Sequence, residues 1–320
     1  MAPKTWNFDY IKSRKIYYMV SGGLFAIALI CMFIFGVRID IQFRGGTMAS
    51  YSYSGEVSEQ AFKQAVEAQT GQHISIAGAQ NIQTGEENFN IEFAGSEGIP
   101  VEEQAALLQK LQETFPDNNI QSVSVNSVSP TMGKDFLLKC LVAVFFAALF
   151  MVVYIALRFK RIGGWSAGVF SVLALIHDVL MVFATFIIFR MPLDDNFMAV
   201  VLVILGYSVN DTIVIFDRIR ENEKLYGKTK PLFELVNDSI NQTLGRTIHT
   251  TVSTLMAMAV VCIMAFINQV DSIVTFSFPL IIGLLSGSYS SICLCSPSWA
   301  AWRERGKKTQ PPKQETEAQA

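Results

Sequence analysis

Six separate runs of about 20 mostly apolar residues govern what this chain can fold into. The hydrocarbon layer of a bilayer is ~30 Å thick and a helix rises ~1.5 Å per residue, so each run is long enough to span it. The runs cover 16–37, 136–157, 164–189, 197–216, 247–267 and 273–297. The first is longer than the core of a cleavable signal and lacks a small-residue cleavage site before Arg38, which predicts a retained signal anchor. Only 16% of the 320 residues are charged and 51% are hydrophobic, a balance foreign to an ordinary soluble enzyme. A net charge of −2 leaves no broad basic field for nucleic acid.

Orientation follows from the basic residues, which accumulate in cytoplasmic loops. With the N-terminus inside, 18 of the 25 Lys and Arg fall on the cytoplasmic side, so both termini are expected there. Residues 1–15 then form a cytoplasmic N-terminus and 303–320 a basic, then disordered, cytoplasmic tail. Residues 218–245 form a cytoplasmic segment, charged and then amphipathic, with Leu232, Val236, Ile240 and Leu244 recurring every four residues. That pattern predicts a helix lying along the membrane surface.

Between the first two spans, residues 38–134 form an exported polar segment large enough to be a domain. Alternation over Thr47–Tyr53 reads as a strand, and Ser58 to Gly71 as a capped helix. His73–Ala77 and Asn88–Phe93 read as strands joined by a turn containing Gly85. Pro100 opens a helix whose apolar side carries Leu107, Leu108 and Leu111, and Ile120–Val128 reads as a last strand. The order β-α-β-β-α-β is that of a ferredoxin-like layer. With 5 basic against 12 acidic residues the domain is negative, which suits either a solvated face or a surface for unfolded polypeptide.

The five cysteines all lie inside apolar runs, which disfavours both disulfides and a metal site. No phosphate loop, dinucleotide turn, nucleophile elbow or zinc-binding helix occurs, so work done by this chain draws on an ion gradient or a partner. Ionisable groups in spans cost ~2.5 to 3.5 kcal/mol to insert and mark functional positions. They are His177 and Asp178 in the third span and Asp211 in the fourth, with Arg246 entering the fifth. Helical spacing puts Tyr207 one turn before Asp211 and Ser208 three residues before it, so hydroxyls are expected beside that carboxylate, with Asn210 adjacent. Arg246, Thr250 and Ser253 make a polar stripe, with His249 and Thr254 close by. An Asp facing an Arg on a neighbouring helix meets the requirement of a gated proton carrier, and equally that of a static ion pair. Gly164 and Gly168, and Gly283, Gly287 and Ser291, form small-residue faces that permit close helix approach.

The run from Gly206 to Glu221, GYSVNDTIVIFDRIRE, resembles the fourth-span signature of the SecF family of export-machinery membrane subunits. Leu175-Ile176-His177-Asp178, Arg246-Thr247, Tyr289-Ser290-Ser291 and Ser296-Pro297 support the resemblance. It implies a polytopic α-helical protein of the RND superfamily, one six-helix half of a twelve-span unit completed by SecD. It further implies work with the SecYEG channel, with YajC as an additional partner, promoting preprotein translocation at the cytoplasmic membrane from the proton motive force. No cofactor beyond the coupling proton and no enzymatic reaction are expected. In the family the positions matching Asp211 and Arg246 are associated with proton conduction; His177, Asp178, Tyr207, Ser208, Asn210 and Thr250 would be supporting polar groups. One departure stands out: the family's Asp-Phe-x-Gly-Gly after the first span is here Gln42-Phe43-Arg44-Gly45-Gly46, with Asp40 two residues upstream. Two other readings stay open, a non-conducting structural subunit and half of an exporter for small molecules or lipids.

Overall fold

The computed structural model describes residues 8–71, 73–80, 87–94, 100–128 and 130–308. Its helices and strands, in chain order, are α1 (Arg14–Phe35), α2 (Ile41–Arg44), β1 (Gly46–Tyr53), α3 (Glu59–Thr70), β2 (Ile74–Gln80), β3 (Glu87–Ala94), α4 (Val101–Thr114), β4 (Gln121–Val128), α5 (Pro130–Arg158), α6 (Gly164–Ile188), α7 (Asp195–Tyr226), α8 (Leu232–Ile267), α9 (Asp271–Tyr289) and α10 (Ser296–Lys308). A π-helical stretch, Ser290–Cys295, joins the last two. Six helical segments are long and apolar enough to cross a membrane, one for each apolar run.

The segment between the first two spans folds as an antiparallel sheet in the order β2-β3-β1-β4, under α3 and α4. Since β1 and β2 each pair antiparallel with β3, they run parallel to one another with β3 between them, which is the split βαβ arrangement. One sheet face buries Tyr51, Phe89, Ile91 and Phe93 against Phe62 and Val66 of α3 and Leu107 and Leu111 of α4. The helix ends obey local chemistry: Gly71 closes α3 in the left-handed conformation that glycine adopts without strain. Val123 stays half exposed because it is the extra residue of a bulge in β4, between the pairs Tyr51–Ser122 and Ser50–Ser124, where the alternation breaks. The turn containing Gly85 and the tail beyond Lys308 lie outside the described residues.

The membrane helices form two classes. α6, α7 and the α9–α10 span have about half of their apolar windows buried, while α1, α5 and the apolar part of α8 are peripheral. The small-residue faces find their partners within the chain. A Cβ on Gly164 would stand 2.3 Å from the Ala156 carbonyl of α5, and one on Gly283 would collide with Ile204 of α7.

The segment 218–245 does not lie along a membrane surface. It continues α7 and α8 as a helical hairpin, so that at ~1.5 Å per residue these helices run about 48 and 54 Å. The amphipathic period is real, but Leu232, Val236, Ile240 and Leu244 bury against the bundle rather than against lipid. Asn222 fastens the hairpin through Ser239 Oγ and Gln242 Oε1, each at 2.8 Å. Charge and apolar period alone do not distinguish lipid from protein as the surface an amphipathic helix covers.

Adding a methyl group at Gly164 should cost about 1 to 3 kcal/mol, because the obstructing atoms are α5 backbone. Gly164→Ala should therefore lower the melting temperature of the purified protein. Gly206→Ala, whose Cβ meets nothing within 4 Å, should leave it unchanged.

Candidate functional site

Two carboxylates lie inside the bundle, and their surroundings differ. Asp178, on α6, is fully buried. Its Oδ2 accepts from Ser208 Oγ of α7 at 2.6 Å and from Ser290 Oγ at 2.8 Å; its Oδ1 accepts from Ser286 Oγ of α9 at 2.8 Å. His177 Nδ1 stands 3.2 Å from the same Oδ1, and its Nε2 is 3.0 Å from Ser21 Oγ on α1. One side chain thus collects donors from α6, α7, α9 and the π-helical stretch. Its neighbour His177 extends the network to α1, beside a cavity of about 360 Å³ between α1 and α6. Ser21 in turn lies 3.3 Å from the Tyr289 hydroxyl, which donates to the Tyr17 carbonyl at 2.8 Å.

Asp211, on α7, is also buried, yet among the described residues its hydrogen-bond donor is a single hydroxyl, Ser288 Oγ at 2.8 Å. Ser288 is 2.7 Å from Thr251 Oγ1, which joins α8 to the same point. The adjacent Thr212 hydroxyl meets Ser291 Oγ at 2.8 Å, closing α7 on the last span. The helical spacing that predicts hydroxyls beside Asp211 is satisfied from a different helix. Ser208 turns to Asp178, and the Tyr207 hydroxyl is buried with no hydrogen-bond partner among the described residues.

The remaining polar positions lie on the outside of this chain. Arg246, Thr250 and Asn210 are exposed, and the Thr250 hydroxyl donates to the carbonyls of Thr247 and Arg246 in its own helix. No ion pair joins Arg246 to Asp211 among the described residues. The two carboxylates are therefore brought together with His177 and Ser208 in one interior, and Arg246 stands apart from them on a lateral surface.

The sequence reading did not link the serines of the last span to the two acids they bond. Ser286 and Ser290 are one helical turn apart and share Asp178, while Ser288 reaches Asp211. Their density, four serines in the six residues Ser286–Ser291, was the available signal. Polar groups at helical spacing in an apolar run point to a polar partner on a neighbouring helix.

A fully buried acceptor stripped from three hydroxyls leaves each of them short of a partner, at about 1 to 3 kcal/mol apiece. Asp178→Ala should consequently reduce the amount of folded protein in membranes. Asp178→Asn, which keeps one acceptor oxygen, should retain more, as read by fluorescence-detected size exclusion of the solubilised protein.

Residues 107–305 match the family described as protein export membrane protein SecD/SecF, C-terminal. The chain is 35% identical over 305 residues to protein translocase subunit SecF of Alicyclobacillus acidocaldarius, covering 94% of this chain and 95% of that one. It is 29% identical to protein translocase subunit SecDF of Bacillus subtilis, of which the match takes up 39%. The structure resembles that of SecDF, a translocon-associated membrane protein from Thermus thermophilus, with a TM-score of 0.78 at 28% identity over 95% of this chain and 40% of that one. With six helices long and apolar enough to cross a membrane, an α/β domain inserted between the first two, and these likenesses along nearly its whole length, the chain belongs to the SecF branch of the SecD/SecF protein-export family.

Proposed function

We propose that this chain, paired with a SecD-like half, converts the proton gradient into movement that helps draw preproteins through the SecYEG channel, with Asp211 as the proton carrier. The contrast between the two buried carboxylates carries this reading. Asp178 has acceptors on both oxygens occupied, so taking up a proton there means dismantling a network that ties four elements together. Asp211 holds one serine, leaving lone pairs free and a single bond to rearrange. Among buried groups in a bundle, the one with spare capacity is suited to change its charge state, and the saturated one to hold position.

The basic residues orient the protein with both termini in the cytoplasm and the 38–134 domain outside, in the cytoplasmic membrane. Arg246 is then the modulating cation, entering the fifth span from the cytoplasmic side. Its exposure, with Thr250 and Ser253 on α8 and Gly206 and Asn210 on α7, supports the pairing. Hydrocarbon offers these polar groups no hydrogen bond, whereas a neighbouring protein half does. The SecDF relatives, in which this chain matches about two fifths of a longer protein, support a partner supplying the remainder. YajC is included as a further associate. A purely structural role would make Asp211 a packing residue, and the first experiment below separates the two.

Replacing the genomic copy with Asp211→Asn should leave membrane level and SecD co-purification normal while delaying maturation of a secreted protein in pulse-chase. Unchanged maturation would reduce Asp211 to packing. For the pairing surface, Gly206→Trp fits the isolated chain, since nothing lies within 4 Å of its Cβ position. It should abolish co-purification with SecD without lowering the level of the chain itself; retained pairing would move the interface elsewhere.

A further inference from the structure

The path from the first span into the exported domain is bonded to the loop that opens α7. The Asp40 N–H donates to the Leu193 carbonyl at 3.1 Å, and the Leu193 N–H donates to the Arg38 carbonyl at 2.8 Å. Ile39 and Leu193 thus form an isolated parallel bridge. Side chains reinforce it: Arg38 Nη1 reaches the Arg190 carbonyl at 3.4 Å, and the Arg190 guanidinium stands 5.3 Å from the centre of the Phe35 ring. Arg190 has a φ of 56°, in the left-handed region that favours glycine, so the loop is held in a shape its backbone does not prefer.

Each end of the bridge leads to a different part of the molecule. On one side the Asp40 carboxylate caps α2 by accepting from the Gln42 N–H at 2.9 Å, and α2 leads through Gly45 and Gly46 into β1, which pairs with both β3 and β4. On the other side Asp194 caps α7 by accepting from the Phe197 N–H at 3.2 Å, and Asn196 ties Asp194 to Thr275 of α9. α7 carries Asp211, 17 residues beyond Asp194 and so about 25 Å along the helix. A second contact holds the domain to the bundle. The Phe43 and Phe136 rings stack at 5.7 Å, and a Cβ on Gly133 would come within 3.0 Å of α2 backbone.

We infer that the Ile39–Leu193 bridge is the transmission point through which a displacement of α7 reaches the exported domain, with α2 on α5 as the pivot and Arg38, Arg190 and Leu193 as positioning residues. The inference deepens the proton-carrier reading of Asp211 and rests on it for the origin of the displacement. Two backbone hydrogen bonds are too few to hold a domain, and the α2–α5 contact does that. What they supply is a constraint between β1 and one chosen helix. α1 is poorly placed to serve instead, since Phe33 and Ile34 near its outer end are largely exposed and unpacked.

The test uses the full chain reconstituted with its SecD-like partner and SecYEG in liposomes. Proton flux is followed by a lumenal pH dye, preprotein translocation by protease protection, and domain position by a fluorophore pair introduced as noncanonical residues at Asp117 and Lys160. Leu193→Pro removes the donor to Arg38; Arg38→Ala with Arg190→Gly removes the side-chain clamp and leaves the backbone free to fold. Either variant should keep proton flux within about twofold of the parent, cut translocation at least tenfold, and abolish the gradient-dependent change in fluorophore distance. A distance change that survives both variants, no distance change in the parent, or equal loss of flux and translocation overturns the inference. Asp211→Asn in the same assay judges the proton reading separately: retained flux there refutes the carrier, while the bridge is still decided by the distance change.

Discussion

Everything in the membrane part of this protein is arranged around one buried acid. Inside a bilayer the hydrophobic effect does not choose between helix arrangements, because lipid tails are as apolar as leucine; close contact and hydrogen-bond satisfaction choose instead. Asp178 needs several donors, and only one disposition of α6, α7, α9 and the π-helical stretch delivers Ser208, Ser286 and Ser290 to it together. The glycines make that disposition physically possible. Gly283 lets α9 close on Ile204 and Val182, and Gly287 stands against Ser208 itself, so the same face supplies both the approach and the hydroxyls.

A carboxylate bonded on both oxygens thus lies beside one that has a single hydroxyl donor among the described residues. Asp211 lies three residues after Ser208 on α7, so the helix that helps saturate one carboxylate also carries the other. α8 reaches the second centre through Thr251, which meets Ser288 of α9, and among the described residues it makes no hydrogen bond to the first. The Asp211 hydroxyl partner, Ser288, lies on α9 between Ser286 and Ser290, the two serines of this span that hold Asp178, so the two centres share that helix. The domain between the first two spans is joined to the bundle near the beginning of α7.

Much of this was legible in the residues. Period and length gave the six spans, because a bilayer demands about 20 apolar residues whatever their partners. The domain between the first two spans was legible because its strands alternate and its helices are bounded by Ser58, Gly71 and Pro100, all local signals, although the Ser58 side chain makes no capping hydrogen bond. Asp178, His177 and Asp211 were legible as costly groups in apolar surroundings. What escaped is relational. That Ser208 serves Asp178 and not Asp211 depends on which way α6 and α9 face, and no spacing within α7 records it. The position of Arg246 on the outer surface, and the burial of Leu232 and Val236 against protein, are likewise properties of neighbours. Local periodicity states that a face will be covered and is silent about the cover.

The π-helical turn from Ser290 to Cys295 begins on the last of the serines that serve the two acids. It inserts an extra residue into the turn, and the Ser291 carbonyl accepts from Ser296 Oγ at 3.2 Å, five residues on. The final span is thus two helices on one axis with different phases. Its first half turns serines inward, and its second half turns Trp299 inward, onto Phe216 and the Ser166 hydroxyl. A helical wheel drawn through the whole span at a constant 3.6 residues per turn would misplace every residue after Ser290 by roughly 100°. Gaining or losing one residue here would rephase one half against the other and set the two acids and the tryptophan anchor in competition for a single rotation of the helix.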